Sequence, residues 1–256
     1  MDCLLSFPNV NLATKNQSKI NRTFKRKYMS WVSKTLSSTL GRKLLMALTG
    51  LFLIIFLIGH VSGNTLLFKN DGGEAFNIYA KFMTTNPAVK ILSYLTYISV
   101  IAHVVYSIIL TKYNKSARPV AYANSKASTN SSWNSRNMGI LGTIILIFLA
   151  VHLQGFWYKM HWGDMPVVSY GGEQYKDLYT IVNFAFQSEL LVALYVVAMG
   201  FLGLHLSHGF QSAFQTLGLN HVKYSPAIQK LGLAFSIIVP ALFASMPIYI
   251  YFINMN

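Results

Sequence analysis

Five long apolar runs dominate this chain and restrict the class of fold open to it. They fall near residues 43–62, 89–111, 138–158, 188–210 and 229–253. Each has about the twenty residues that an α-helix needs to cross a hydrocarbon layer of roughly 30 Å. Only 11% of the residues are charged, whereas a soluble domain usually carries about a quarter. The sequence therefore predicts an all-α integral membrane protein of five transmembrane helices, named here the first to fifth spans.

The polar segments between the runs predict the domains and their orientation. Residues 1–40 are expected to form a basic N-terminal tail, and residues 41–256 the transmembrane domain. Sixteen of the Lys and Arg residues fall in the N-terminal segment through Lys43 and in the segments after the second and fourth spans, against five on the opposite face. That opposite face also holds five of the seven acidic residues. The positive-inside rule then predicts a multi-pass protein with a cytoplasmic N-terminus and an external C-terminus.

The net charge of +14 would also suit a protein that binds nucleic acid. We expect no nucleic-acid partner, because membrane topology already explains where the basic residues lie and no RNA-binding signature or zinc spacing accompanies them. Cys3 is the one cysteine, which excludes a disulfide within the chain. An iron–sulfur cluster needs several thiolates, so any such cluster must belong to a partner.

Histidines inside the apolar runs are the candidate functional residues. Ionisable groups within a membrane are costly and usually functional. Two of the seven histidines, His161 and His221, are predicted to lie in loops. The other five fall in the runs, and they are His60, His103, His152, His205 and His208.

The depths of four histidines predict two pairs. His60 lies near the outer end of the first span, and His152 lies in the outer half of the third span, which runs the same way. His103 lies past the middle of the inward second span, and His205 lies near the inner end of the fourth. At a rise of 1.5 Å per residue the outer and inner layers are separated by roughly 15 Å.

Two imidazoles at one depth can hold a haem iron from both axial sides. No axial position then remains for oxygen or substrate, so the chemistry left is one-electron transfer. The sequence therefore predicts a helix bundle that encloses two haem b groups. The predicted cofactor and metal ligands are His60, His103, His152 and His205.

Structural explanations remain open for individual residues. A single membrane histidine can simply hydrogen-bond across helices. His208 shares the helix face of His205, but it lies one turn nearer the cytoplasm, where a propionate-bonding or interfacial role is favoured. Glu189 begins the fourth span, where a carboxylate suits the positive end of the helix. Glycines near the histidines would allow close approach of a flat porphyrin or a neighbouring helix, and they are Gly59, Gly63, Gly139, Gly142, Gly200 and Gly203.

Two segments resemble a known family. The run from Gly41 to His60, GRKLLMALTGLFLIIFLIGH, is similar to its first helix. The run from His205 to Asn220, HLSHGFQSAFQTLGLN, is similar to the end of its fourth helix. Both resemble the cytochrome b558 subunit of bacterial succinate dehydrogenase and fumarate reductase, in the single-anchor, di-haem type. The likeness covers about residues 30–256.

The resemblance implies a membrane anchor of succinate:quinone oxidoreductase (complex II) in the bacterial inner membrane. A flavoprotein subunit and an iron–sulfur subunit would bind its cytoplasmic face. Electrons would pass from the iron–sulfur subunit through two haems to a quinone, expected to be menaquinone, and the anchor would have no dehydrogenase active site of its own. The inner haem would use His103 and His205, and the outer haem His60 and His152. In the family the fourth-helix ligand precedes a glycine by four residues, as His205 precedes Gly209.

Two other functions stay open. One is the cytochrome b subunit of another quinone-linked dehydrogenase, a formate dehydrogenase or hydrogenase. The number of helices and the segment around His205 argue against it. The other is a haem-free transporter or channel that uses histidines as a proton relay. Such a protein should scatter its histidines along one path instead of pairing them in two layers.

Overall fold

The computed structural model describes residues 31–117 and 131–255. Five of its helices are long and apolar enough to cross a membrane: Thr39–Phe68, Pro87–Ser116, Met138–Trp162, Glu189–Thr216 and Ser225–Met255. This confirms the five predicted spans and the predicted multi-pass membrane class. Each span extends past its predicted run at one end or both, because the terminal turns carry polar residues. Most of the predicted basic tail, residues 1–30, lies outside the described residues.

Ten α-helices and one β-hairpin are found in the described part of the chain. Contacts divide the chain into two units, Met1–Arg42 and Lys43–Asn256. The elements in chain order are α1 Trp31–Ser37, α2 Thr39–Asn64 with a 3-10 turn at Thr65–Phe68, α3 Glu74–Thr85, α4 Pro87–Ser116, α5 Trp133–Arg136, α6 Met138–His152, a π-helix at Leu153–Tyr158, α7 Lys159–Trp162, β1 Val167–Tyr170, β2 Glu173–Lys176, α8 Leu178–Ala185, α9 Glu189–Thr216 and α10 Ser225–Met255.

Local capping signals fix where the second and fourth spans begin. The side chain of Asn86 accepts hydrogen bonds from the N–H groups of Ala88 and Val89, and Pro87 occupies the first helical position. The Ser188 hydroxyl accepts from the N–H of Leu191 at the start of α9. Side chains of this type satisfy N–H groups that the helix leaves unpaired. Because helical rise is constant, these caps also set the depth of every residue further along each span.

The third span changes from α to π geometry directly after His152. The π-helical segment Leu153–Tyr158 separates α6 from α7, and segments of this kind occur frequently at functional sites. The helix continues to Trp162, so the prediction that His161 lies in a loop is wrong. Its Nδ1 lies 2.9 Å from the Trp157 carbonyl oxygen within the last turns of the span. His221 lies in the turn before α10, as predicted.

The fourth and fifth spans pack closely through glycines. A Cβ placed on Gly203 would lie 2.8 Å from the carbonyl oxygen of Ser236, and one on Gly232 would lie 2.7 Å from the Phe210 ring. Pro240 has no N–H to offer the Ser236 carbonyl four residues earlier, and this carbonyl is the one that contacts Gly203. Small residues let membrane helices approach in this way. The prediction of close approach at Gly203 is confirmed.

The connections after the first and third spans fold into a compact unit of α3, the β1–β2 hairpin and α8, named here the hairpin module. The antiparallel strands join at Gly171 and Gly172, whose φ values of 57° and 84° suit glycine. Asn77 is 1% exposed and links the parts. Its amide nitrogen donates to Asp177 at 2.9 Å, and its amide oxygen accepts from the Tyr179 N–H at 3.0 Å.

Carboxylates of the hairpin module are stabilised in their charged form. The Lys81 ammonium donates to Glu173 at 2.8 Å and holds the pKa of that carboxyl below its ordinary value. Burial acts to raise the pKa of Asp177, but hydrogen bonds from Thr180 and Asn77 outweigh this effect and leave the pKa below its ordinary value. The module therefore keeps both carboxylates ionised at neutral pH.

Candidate cofactor site

The structure brings four of the five membrane histidines together as two pairs. The ring centroids of His60 and His152 are 5.8 Å apart with an interplanar angle of 86°. Those of His103 and His205 are 6.4 Å apart with an angle of 66°. These are the pairs predicted from depth, and they are named here the 60/152 pair and the 103/205 pair. Among the described residues, no ring contact joins His208 to either pair.

The two pairs lie at different levels of the membrane domain. Thr49, on the first span, contacts the 103/205 pair and lies eleven residues before His60. Tyr195, on the fourth span, contacts the 60/152 pair and lies ten residues before His205. At 1.5 Å of rise per residue, both helices place the levels about 15 Å apart.

Aromatic rings surround the 60/152 pair. Phe56 stacks on His60 with centroids 5.3 Å apart, and Phe148 stacks on His152 at 5.8 Å. The hydroxyl of Tyr195 lies 3.3 Å from Nδ1 of His152. These neighbours form an apolar environment in which one hydroxyl meets one imidazole.

Asn64 contacts the other ring of the 60/152 pair. Its amide nitrogen donates to the His60 carbonyl at 2.7 Å and lies 3.4 Å from Nδ1 of the same residue. An amide nitrogen can only donate, so this weak contact favours a proton on Nε2 of His60. Ligation of a metal through Nε2 would require that proton to move to Nδ1 and the Asn64 side chain to adjust.

The 103/205 pair lies against small residues. A Cβ on Gly50 would be in van der Waals contact with the His103 ring at 3.4 Å, and one on Gly142 with the His205 ring at 3.8 Å. Nδ1 of His205 is buried and has no hydrogen-bond partner within the described part of the chain. A buried polar atom of this kind is rare in a finished structure and indicates a missing partner.

The spacing of the rings fits one metal ion between the members of each pair. A metal–imidazole bond of about 2 Å, with the ring centre roughly 1 Å further on, places two ring centres about 6 Å apart across the metal. The observed separations of 5.8 and 6.4 Å lie on either side of this value. The ring spacing within each pair is therefore compatible with one metal ion between the two imidazoles.

Each pair offers two protein ligands. Within the residues described, no group of three or more His, Cys, Asp or Glu side chains converges, whereas a structural or catalytic zinc ion takes three or four protein ligands. Two imidazoles suffice for an iron whose other ligands come from a porphyrin. Five glycines on the spans have no described atom outside their own helix within 4 Å of an added Cβ: Gly59, Gly139, Gly155, Gly200 and Gly209. Of these, Gly59, Gly139 and Gly200 are exposed.

The fold and the histidine pairs define a multi-pass membrane protein with two part-buried pairs of imidazoles. Comparison with family models, with curated proteins and with solved structures found no match in any of the three. The likeness to the cytochrome b558 subunit therefore stays a prediction. The roles of His60, His103, His152 and His205 as ligands also stay predictions, supported by the geometry above.

Two hydroxyls that contact the pairs were not anticipated from the hydropathy pattern. Thr49 lies on the first span at the level predicted for His103, and Tyr195 lies on the fourth span at the level predicted for His152. Depth alone would have selected both, since each is about 15 Å along its helix from that helix's own histidine. Which polar residues face a pair, however, depends on helix rotation, and hydropathy does not determine it.

Proposed function

We propose that this chain is the di-haem cytochrome b membrane anchor of a succinate:quinone oxidoreductase. The observation that carries the proposal is the meeting of His60 with His152, and of His103 with His205, at the ring spacing that one iron requires. A haem b at each pair would supply one-electron redox chemistry at an iron whose axial positions are both filled.

The residues of the chain have three tasks in this function. The imidazoles would hold and orient the two cofactors from four different helices. Aromatic neighbours such as Phe56 and Phe148 exclude water from the 60/152 pair. The rise of the helices separates the pairs by about 15 Å, half of a hydrocarbon layer of roughly 30 Å. The chain therefore spaces two redox sites along the membrane normal.

The partners and the location of the protein follow from the resemblance. We propose the bacterial inner membrane, a cytoplasmic N-terminus, and flavoprotein and iron–sulfur subunits bound at the cytoplasmic face. The chain has a single cysteine, so the iron–sulfur clusters must lie in a partner. The acceptor or donor on the membrane side is a quinone, with menaquinone the expected form.

A haem assay on the purified chain tests the proposal. We expect reduced b-type absorption bands and two haems per chain, together with copurification of a flavoprotein and an iron–sulfur protein from the native membrane. A colourless protein would contradict the proposal and favour the histidine proton relay. Haem without these partners, but with a formate dehydrogenase or hydrogenase subunit, would favour the other cytochrome b class.

A pair of variants on the fourth span tests the choice of ligand. We expect His205→Ala to lose one haem, because it removes one member of the 103/205 pair. His208→Ala is the matched control on the same helix face, and it should keep both haems. The opposite result in a measurement of haem per chain would show that His208 is the ligand.

A further inference from the structure

The ring of His103 rests on a short segment of the first span. Thr49 Oγ1 lies 3.2 Å from His103 Nδ1. A Cβ on the next residue, Gly50, would lie 3.4 Å from Cε1 and 3.8 Å from Nδ1 of the same ring. One edge of the imidazole, the edge that carries Nδ1 and Cε1, is therefore packed against residues 49 and 50.

The direction of this hydrogen bond follows from the other contacts of Thr49. Its hydroxyl donates to the Leu45 carbonyl at 2.8 Å, and the Met46 carbonyl lies 3.1 Å from the same oxygen. A hydroxyl has one hydrogen and two lone pairs. Because the hydrogen is directed to its own helix, Oγ1 can only accept from His103. Nδ1 must then carry the imidazole proton, and Nε2 must carry the lone pair.

We infer that Thr49 is a positioning residue that holds His103 in the Nδ1–H tautomer and leaves Nε2 ready to bind a metal. A hydrogen bond of this type fixes the tautomer and orientation of a ligand histidine and raises the basicity of the ligating nitrogen. The identity of the metal centre rests on the proposed function. The tautomer itself is a property of the chain alone, so the two can be tested separately.

Thr49 acts on one side of the 103/205 pair. Nδ1 of His205, the other member, has no partner among the described residues. His103 is thus the member that Thr49, together with the Met46 backbone, holds in place before any cofactor arrives. The effect of removing the Thr49 hydroxyl should therefore reach the metal through His103 alone.

The first experiment measures the tautomer in the haem-free chain. Nitrogen NMR on protein with ¹⁵N-labelled histidine distinguishes a protonated Nδ1 from a protonated Nε2, and the variant His103→Gln identifies the signal of His103. We expect Nδ1 to be protonated in the unaltered protein and in Thr49→Ser, which keeps the hydroxyl. Thr49→Val should weaken this preference, because only the backbone contact with Met46 remains. An unchanged His103 signal in Thr49→Val would overturn the inference.

The second experiment measures the midpoint potentials of the haem-loaded protein. A more basic imidazole favours ferric iron, so Thr49→Val should raise the potential of the 103/205 site and leave the other site unchanged. A tenfold change in the ferric-to-ferrous preference corresponds to about 59 mV for one electron, and we expect a shift of that order. Thr49→Ser should restore the original potential.

A matched control separates this effect from general damage to packing. Thr96 is a buried threonine on the second span whose hydroxyl bonds the Leu92 carbonyl of its own helix. Thr96→Val should leave both potentials unchanged. With two haems present, equal potentials in Thr49→Val and the unaltered protein would refute the inference and spare the proposed function. A haem-free native protein would refute the proposed function, while the NMR result would still decide the role of Thr49.

Discussion

If two histidines hold one cofactor, substitution of either histidine should release that cofactor. We predict that His60→Ala and His152→Ala each lower the haem content from two per chain to one. The double variant His60→Ala/His152→Ala should also retain one haem, because the single changes have already removed the same site. Combining His60→Ala with His103→Ala should leave none, because these residues belong to different pairs.

The magnitudes follow from the geometry of the pairs. The ring centroids within each pair are 5.8 or 6.4 Å apart, so removing either ring would remove one of the two proposed ligands of the same iron. The two levels lie about 15 Å apart. Effects of changes more than roughly 10 Å apart, with no shared partner, usually add. The losses of haem caused by two substitutions should therefore be non-additive within a pair and additive between pairs.

The assay combines haem per chain with a redox titration of each variant. His60→Ala and His152→Ala should remove the same redox transition, and His103→Ala the other one. His221→Ala is the control, since this histidine lies in a turn outside the spans and should keep both transitions. The pairing would be refuted if His60→Ala and His152→Ala abolished different transitions, or if their combination removed more haem than either alone.

Two further predictions concern residues that the sequence analysis did not identify. Asn77→Ala deletes a buried amide with three hydrogen bonds. At about 1 kcal/mol for each bond, the free energy of unfolding of the hairpin module should fall by roughly 3 kcal/mol. Hydrogen-exchange protection of the β1–β2 amides should then be about a hundredfold lower. Tyr195→Phe removes the hydroxyl beside His152 and should raise the potential of the 60/152 site alone, whereas Tyr249→Phe, the control, should change neither potential. Unchanged protection or an unchanged potential would contradict the respective prediction.

The membrane domain was largely predictable because its determinants are local. Hydropathy averaged over about twenty residues identifies a span regardless of its neighbours. The depth of His60 or His205 then needs only the helical rise and the direction of each span. For this reason the pairing of side chains could be anticipated before any contact between helices was known.

The hairpin module was not predictable in the same way. The glycine pairs at 72–73 and 171–172 are of the kind that marks turns, but no local pattern predicts a helix at Glu74–Thr85 or two strands of four residues. These elements are stabilised by contacts far apart in the chain, such as the bond from Asn77 to Asp177. A polar side chain that becomes fully buried through distant partners has no local pattern to reveal it.

The prediction that His161 lies in a loop was wrong for a different physical reason. The predicted third span ended at Tyr158, where the apolar run gives way to polar and aromatic residues. The backbone instead continues through a π-helical segment to Trp162. Hydropathy measures the preference for lipid, and a helix can extend past the apolar layer as long as its backbone hydrogen bonds are made.

The side chains between the two levels bear on the choice between electron transfer and a proton relay. A relay needs polar groups within hydrogen-bonding distance of one another, about 3 Å. On the first span the stretch from Gly50 to Gly59 is GLFLIIFLIG, and on the fourth span the stretch from Val196 to Leu204 is VVAMGFLGL. Neither stretch offers a side chain that could carry a proton across the roughly 15 Å between the pairs. Electrons need no such chain of groups, so these two apolar stretches fit the proposed electron transfer better than a proton path along the first or fourth span. The second span differs, because Thr96, Tyr97 and Ser99 precede His103 in the same interval.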